Sequence, residues 1–218
     1  NWKDKLKGFD CVIHCAGKSH VMNKTKNFDD YQLVNTEGTR QLAEQAAEVG
    51  VRRLIFLSSI KVNGNRTGKF DGREAFTDND IPNPQDDYAI SKLKAEESLW
   101  QISAKTGLEV VIVRLPLVYG KDVKGNLARL IKLVKSGFPL PLSMIKNQRS
   151  MIGIDNLVDL LISCTEHPNA AGKTFLVSDG VDLSTSELIN FIASSMGRKA
   201  HLFPVPIFLL KFLSYIFG

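Results

Sequence analysis

The chain has 218 residues, of which 44% are hydrophobic and 23% charged, with a mean hydropathy of −0.06. That composition suits a globular chain of one large domain or a domain and a half, without low-complexity tracts or internal repeats. The net charge of +5 is mild, and the basic residues are scattered without interleaved aromatics, so an anionic small ligand suits the chain better than nucleic acid.

The chain opens Asn1-Trp2-Lys3-Asp4-Lys5 with no starting Met and no signal peptide, which suggests a fragment. Cys11, Cys15 and Cys164 are odd in number and lack Cys-x-x-Cys spacing. Buried free thiols in a reducing, cytoplasmic setting are expected, and no metal site.

In chain order, Phe9 to Gly17 is a short apolar run that reads as a buried parallel strand. Phe28 to Val49 has helical periodicity, with Tyr31, Val34, Thr39, Leu42, Ala46 and Val49 as its inward stripe, and stops at Gly50. Arg53 to Ser59 is a second buried strand, and Asn63 to Pro84 a loop rich in Gly, Asn, Asp and Pro. A helix then runs from the acidic start Asp86-Asp87 to about Thr106, closed by Gly107. Glu109 to Leu115 is a third strand. Strands alternating with helices imply right-handed β-α-β crossovers and a doubly wound parallel sheet. After Tyr119-Gly120 the character changes. Helices are expected over Asn126 to Ser136, over Asp155 to His167 behind an Asp N-cap, and over Ser184 to Met196 behind a Ser-x-x-Glu capping box. Lys173 to Val177 reads as a short strand. The apolar run Phe203 to Phe217 is too short and interrupted to span a bilayer. It reads as a packed helix, with a membrane-surface anchor as the alternative.

Tyr88 and Lys92 stand four residues apart, one turn on, and share a helix face. A phenol beside an ammonium is a route to a base, because a cation favours phenolate. Bringing a tyrosine from ~10 to ~7 takes roughly 4 kcal/mol, more than one lysine readily supplies. Sites in open α/β sheets lie beyond the carboxyl ends of the strands. Ser59 ends the second strand, so a hydroxyl, a phenol and an ammonium converge there. Such a group suits proton abstraction from an alcohol coupled to hydride transfer.

The motifs Tyr88-Ala89-Ile90-Ser91-Lys92, His14-Cys15-Ala16-Gly17, Asn35-Thr36-Glu37-Gly38-Thr39, Leu57 to Gly64, Arg114 to Gly120, and Arg149 followed by Asp155 to Asp159 occur along the chain. In these the chain resembles the extended short-chain dehydrogenase/reductases, in the nucleotide-sugar epimerase and dehydratase branch, over nearly its whole length. The resemblance implies a Rossmann-like cofactor domain over residues 1–120 and a smaller α+β, mainly substrate-binding domain over residues 121–218, some segments of which return to the main sheet. It implies Tyr88 as general base and acid, Lys92 lowering its pKa and holding the nicotinamide ribose, and Ser59 bonding the reacting oxygen. Ala16, Gly17, Asn35, Ser58 and Pro116 would line NAD or NADP, and Asn126 and Arg149 would hold the diphosphate of a UDP-sugar, an arginine fork suiting phosphate oxygens. A homodimer is implied for the full-length protein.

The family's first strands and glycine-rich pyrophosphate turn have no counterpart in these residues. Gly64, Gly68 and Gly72 lie in a loop. A partial sheet and weak NAD binding by this chain alone are therefore expected. Ile60-Lys61 stand where dehydratases of the family carry an Asp-Glu pair, which disfavours 4,6-dehydration. Asn63 replaces a Tyr, and Leu117 an Asn found in many epimerases. The leading expectation is NAD-dependent epimerisation at C4 of a UDP-sugar. Alternatives are an NAD(P)H-dependent 4-ketoreductase for a deoxy-N-acetyl sugar nucleotide and a non-catalytic dinucleotide-binding protein on the same fold.

Overall fold

The structure is a computed structural model that describes residues 1–19, 28–67, 75–206 and 208–210. The chain folds into two compact units, Asn1–Pro116 with Asn156–Val177, and Leu117–Asp155 with Ser178–Gly218.

The first unit opens with the short helix α1 (Lys3–Leu6) and strand β1 (Cys11–His14). Helix α2 (Phe28–Tyr31), a π-helical stretch over Gln32–Glu37 and α3 (Gly38–Glu48) form one continuous helical run. Next come β2 (Arg53–Ser59), a 3₁₀ turn at Ile60–Val62, α4 (Asp87–Thr106) and β3 (Glu109–Leu115). The unit is completed by most of α6 (Ile154–Glu166) and by β6 (Lys173–Leu176). In the second unit, β4 (Leu117–Tyr119) pairs in parallel with β5 (Met151–Gly153), and α5 (Gly125–Lys135) packs against α7 (Thr185–Ser195) through Val134, Ile189 and Ala193.

Four strands form one parallel sheet in the order β1-β2-β3-β6, the Rossmann-like α/β architecture expected from the alternation of elements. Leu54, Phe56, Val110 and Ile112 face Leu42, Ala43 and Ala46 of α3 and Ala95, Leu99 and Ile102 of α4. Alternate residues point to opposite faces. On the other face Arg53, 2% exposed, donates to the carbonyls of Cys164 and His167 at the end of α6, at 2.7 and 3.0 Å. Helices therefore cover both faces of the sheet.

Several local expectations change. β1 is shorter than the Phe9 to Gly17 run and pairs on one side only, so Ile13 is exposed. Cys15 lies beyond it and is exposed, not buried, whereas Cys164 is buried and all three thiols are free. Val34 leaves the inward stripe. A π turn takes more residues per turn than an α turn, so Val34 rotates out to 45% exposure and Asn35 rotates in to 1%. α6 begins one residue early, which puts Asp155 in its first turn and not at its cap. The capping box at Ser184 and Glu187 forms as read. Most of the apolar segment Phe203 to Phe217, and Gly68 and Gly72, lie outside the described residues. Among the described residues no helix is long and apolar enough to cross a membrane.

Candidate active site

The site is built where β1 and β2 end and α4 begins. α4 starts at Asp86, whose carboxylate accepts from Ala89 N at 2.8 Å, and ends at Gly107 with φ 78°, the left-handed conformation that closes a helix. These two ends set the register that turns Tyr88, Lys92 and Glu96 along one face. Ser59 caps the 3₁₀ turn after β2, accepting from Lys61 N at 3.3 Å, and is hydrogen-bonded to the Tyr88 phenol. The Tyr31 ring meets Tyr88 edge-on at 6.3 Å.

Lys92 is 4% exposed. Its ammonium donates to Leu57 O at 2.8 Å and lies 4.3 Å from the Phe56 ring centroid. Burial lowers its pKa from 10.5 to about 8, opposed by the nearby Glu96 carboxylate and by Cys15. Burial also pushes the Tyr88 phenol above its ordinary value, and the Ser59 hydrogen bond opposes the rise while Asp86 adds to it. The expected lowering of the Tyr88 pKa by Lys92 thus meets a desolvation cost invisible in the spacing.

Asn35 is held from three sides. Its Oδ1 accepts from Lys18 N at 2.7 Å, and its Nδ2 donates to Lys18 O and Ser91 Oγ, each at 3.0 Å. Ser91 donates in turn to Tyr88 O at 2.7 Å, so the π stretch locks the loop after β1 onto the first turns of α4. Thr39 donates to Asn35 O at 2.6 Å, which leaves His14 Nε2 as the donor across 2.9 Å to Thr39 Oγ1. Burial and Lys92 bring the His14 pKa down to about 4, so this imidazole is neutral. Ala16 and Gly17 are exposed at the strand tip. A Cβ on Gly17 would stand 3.3 Å from both Asn35 Oδ1 and Lys92 Nζ.

A buried ionic cluster, not foreseen from the sequence, lies behind these groups. Arg114 Nε and Nη2 grip the two oxygens of Glu96 at 3.1 and 2.6 Å, and Ser58 donates to Glu96 Oε1 at 2.5 Å. Arg114 Nη1 also donates to Asn63 Oδ1 at 2.9 Å, and Asn63 Nδ2 donates to Thr77 O at 3.0 Å. That explains the residue standing where a Tyr was expected: Asn63 is an internal tie. The available signal was Glu96 repeating the four-residue spacing of Tyr88 and Lys92.

Ser59, Tyr88, Lys92, Asn35, Ser58, Ala16 and Gly17 thus belong to one unit, and Pro116 follows β3 at the edge of that unit. Asn126, exposed in the first turn of α5, and Arg149, exposed and bridged to Leu183 through its backbone, belong to the second.

A family model described as NAD dependent epimerase/dehydratase matches residues 1–178. A UDP-glucose 4-epimerase of Vibrio cholerae is 44% identical over 216 residues, 98% of this chain and 65% of that protein. An N-acetyl-alpha-D-glucosaminyl-diphospho-ditrans,octacis-undecaprenol 4-epimerase of Escherichia coli O157:H7 is 28% identical over 196 residues, 89% of this chain and 57% of that protein. This chain therefore spans less than two thirds of the length of either relative. Among solved structures, a UDP-glucuronic acid 4-epimerase from Bacillus cereus with UDP-glucuronic acid and NAD superposes with TM-score 0.79 at 23% identity, over 94% of this chain and 65% of that one. MoeE5 with UDP-glucose and NAD gives 0.78 at 24% identity, over 94% and 68%. At that identity the structures speak for the fold. With the family model and the Vibrio relative beside the Tyr88, Lys92 and Ser59 geometry, the chain belongs to the NAD dependent epimerase/dehydratase family.

Proposed function

We propose that the protein interconverts C4 epimers of a UDP-sugar with NAD as cofactor, Tyr88, Lys92 and Ser59 being its catalytic residues. The observation that carries the reading is the Tyr88 phenol bonded to Ser59 on the helix face that also buries Lys92. The residues present suit a nicotinamide nucleotide. Gly17 leaves backbone beside Asn35 and Lys92 that a side chain would fill. Lys92 engages one acceptor, Leu57 O, and an ammonium has three donors, so ribose hydroxyls can be held. Ala16 and Pro116 are assigned to the lining on the resemblance, as is Ser58, whose hydroxyl is engaged by Glu96, and NADP would meet the same groups. The cofactor, when bound, supplies the hydride acceptor and donor and a positive charge on its oxidised ring.

Ser59 holds the sugar O4 against Tyr88. Tyr88 takes the O4 proton as C4 is oxidised to the ketone, and returns it when C4 is reduced on the opposite face. Lys92 holds positive charge near the phenol. Asn126 and Arg149 are assigned to the substrate diphosphate on the resemblance and on the chemistry of an arginine fork.

Incubation of the full-length enzyme with UDP-GlcNAc or UDP-glucose, without added reductant, tests the reading. Formation of the 4-epimer is expected. Reaction only with a 4-keto sugar and reduced cofactor would establish the ketoreductase instead.

A cytoplasmic homodimer is proposed as well, supported by exposed Phe28 and Leu33 on the first helical run and checked by sedimentation of the full-length protein. Membrane-surface association through the segment from Phe203 is a further proposal. The exposed Phe203 and Phe208 support it, and so does a relative named for a sugar on an undecaprenyl carrier. Liposome flotation of chains with and without that segment decides it.

A further inference from the structure

The Lys92 ammonium is buried among mostly uncharged groups. The Phe56 ring lies beneath it and the Leu57 carbonyl is its acceptor. Around it are His14 on β1, which is neutral, and the Cys15 thiol after β1, whose pKa partial desolvation raises. On its own helix stand Tyr88, also held neutral by burial, and Glu96. Arg114 comes from β3. Among these groups Glu96 is the one carboxylate acting on Lys92, one helical turn further along.

Glu96 is 2% exposed. A lone carboxylate at that depth would take up a proton or leave the interior. Here it is gripped by the Arg114 fork at 2.6 and 3.1 Å and by the Ser58 hydroxyl at 2.5 Å. Arg114 is anchored in turn by Asn63 at 2.9 Å. A purely structural pair gains little from burial, because desolvation offsets most of the attraction. It also stands one turn from Lys92 on the same buried helix face, and the two side chains engage consecutive residues of β2, Leu57 and Ser58, so its negative charge favours the ammonium over the amine.

We infer that Glu96 is a positioning residue for the reaction: held by Arg114 and Ser58, its carboxylate keeps the buried Lys92 protonated at the pH where the enzyme works. The inference rests on the proposed role of Lys92. Burial already brings Lys92 to about 8 with Glu96 in place. Without that carboxylate the titration moves down toward neutrality, and a growing fraction of the enzyme carries a neutral amine unable to stabilise phenolate. Ser58, assigned to the cofactor lining, becomes a ligand of the same carboxylate.

The test measures the titration of Lys92 itself, by the side-chain resonance of isotopically labelled lysine in the full-length protein, assigned by its loss in K92R. Three variants are compared. E96Q removes the charge, E96D draws it back by one methylene, and E96M/R114M replaces the pair by apolar side chains of similar length, a change that buried pairs tolerate. The wild-type midpoint is expected near 8. It should fall by about 1 pH unit in E96Q, and by less in E96D and in E96M/R114M, where the Arg114 charge leaves with the carboxylate, with the alkaline limb of the pH–rate profile moving by the same interval in each. A Lys92 midpoint unchanged in any folded variant lacking the carboxylate overturns the inference. So does a loss of activity in E96M/R114M that leaves both midpoint and profile in place, since that is the signature of structural support alone. If the wild-type enzyme epimerises nothing, the proposed function fails while the resonance still decides the role of Glu96.

Discussion

Lys92 is where stability and chemistry pull against each other. Its pKa falls from 10.5 to about 8, which corresponds to about 3 kcal/mol spent at pH 7 on keeping a charge in the interior. The sign follows from proton binding. Between pH 8 and 10.5 the unfolded chain binds more protons than the folded one, so stability rises with pH through that window. K92M is therefore expected to be more stable than wild type at pH 7 by up to about 3 kcal/mol, with the gain shrinking to nothing by pH 10.5, while activity is lost. Urea unfolding at several pH values measures this. K92M less stable at pH 7 would show that the ammonium contributes more through its bonds than it costs by burial. Tyr88 behaves in the other direction. The Ser59 hydroxyl opposes the rise that burial imposes on the phenol, so S59A should move the acid limb of the pH–rate profile to higher pH. An unmoved limb would remove Ser59 from the site. Residue types and spacing brought Tyr88, Lys92 and Ser59 to notice. The pKa directions were not legible, because they depend on burial that only tertiary packing creates.

At the scale of elements, legibility tracks how local the determinants are. β2 and β3 run over the residues expected, Arg53–Ser59 and Glu109–Leu115, since each is a near-continuous apolar run in the middle of the sheet, bounded by clear breakers. α4 is framed by an Asp cap and a left-handed Gly107, both local signals. The π stretch Gln32–Glu37 escapes such reading because no residue type marks a wider turn, yet it is what brings Asn35 inward. The Glu96–Arg114 pair escapes because its partners sit on different elements and meet only in the folded chain. A further long-range tie joins β2 to α6. Arg53 donates to Glu109 at 2.7 Å and to the last carbonyls of α6, groups that a helix end leaves without partners. R53M is expected to cost about 3 kcal/mol, because buried acceptors lose their donor. A loss of unfolding free energy, from urea titration, of less than a third of that would show that water replaces the guanidinium there.

For the whole molecule, the parallel sheet and its flanking helices followed from the alternation of strand and helix signals alone. The motifs along the chain placed it in a family that the family model and the Vibrio relative then bear out. How the pieces of the second unit pair was not legible. The parallel bridge of Leu140 to Leu202 and the antiparallel bridge of Arg149 to Leu183 join segments far apart in sequence that carry no strand pattern.

In the proposed reaction Tyr88 moves the proton of a C4 hydroxyl. Y88F in the full-length enzyme tests it most directly, with 4-epimer formation from a UDP-sugar followed by proton NMR. A loss of roughly 10²- to 10⁴-fold is expected, with an unchanged fold and thermal midpoint. Y88F that epimerises within a few-fold of wild type would contradict it.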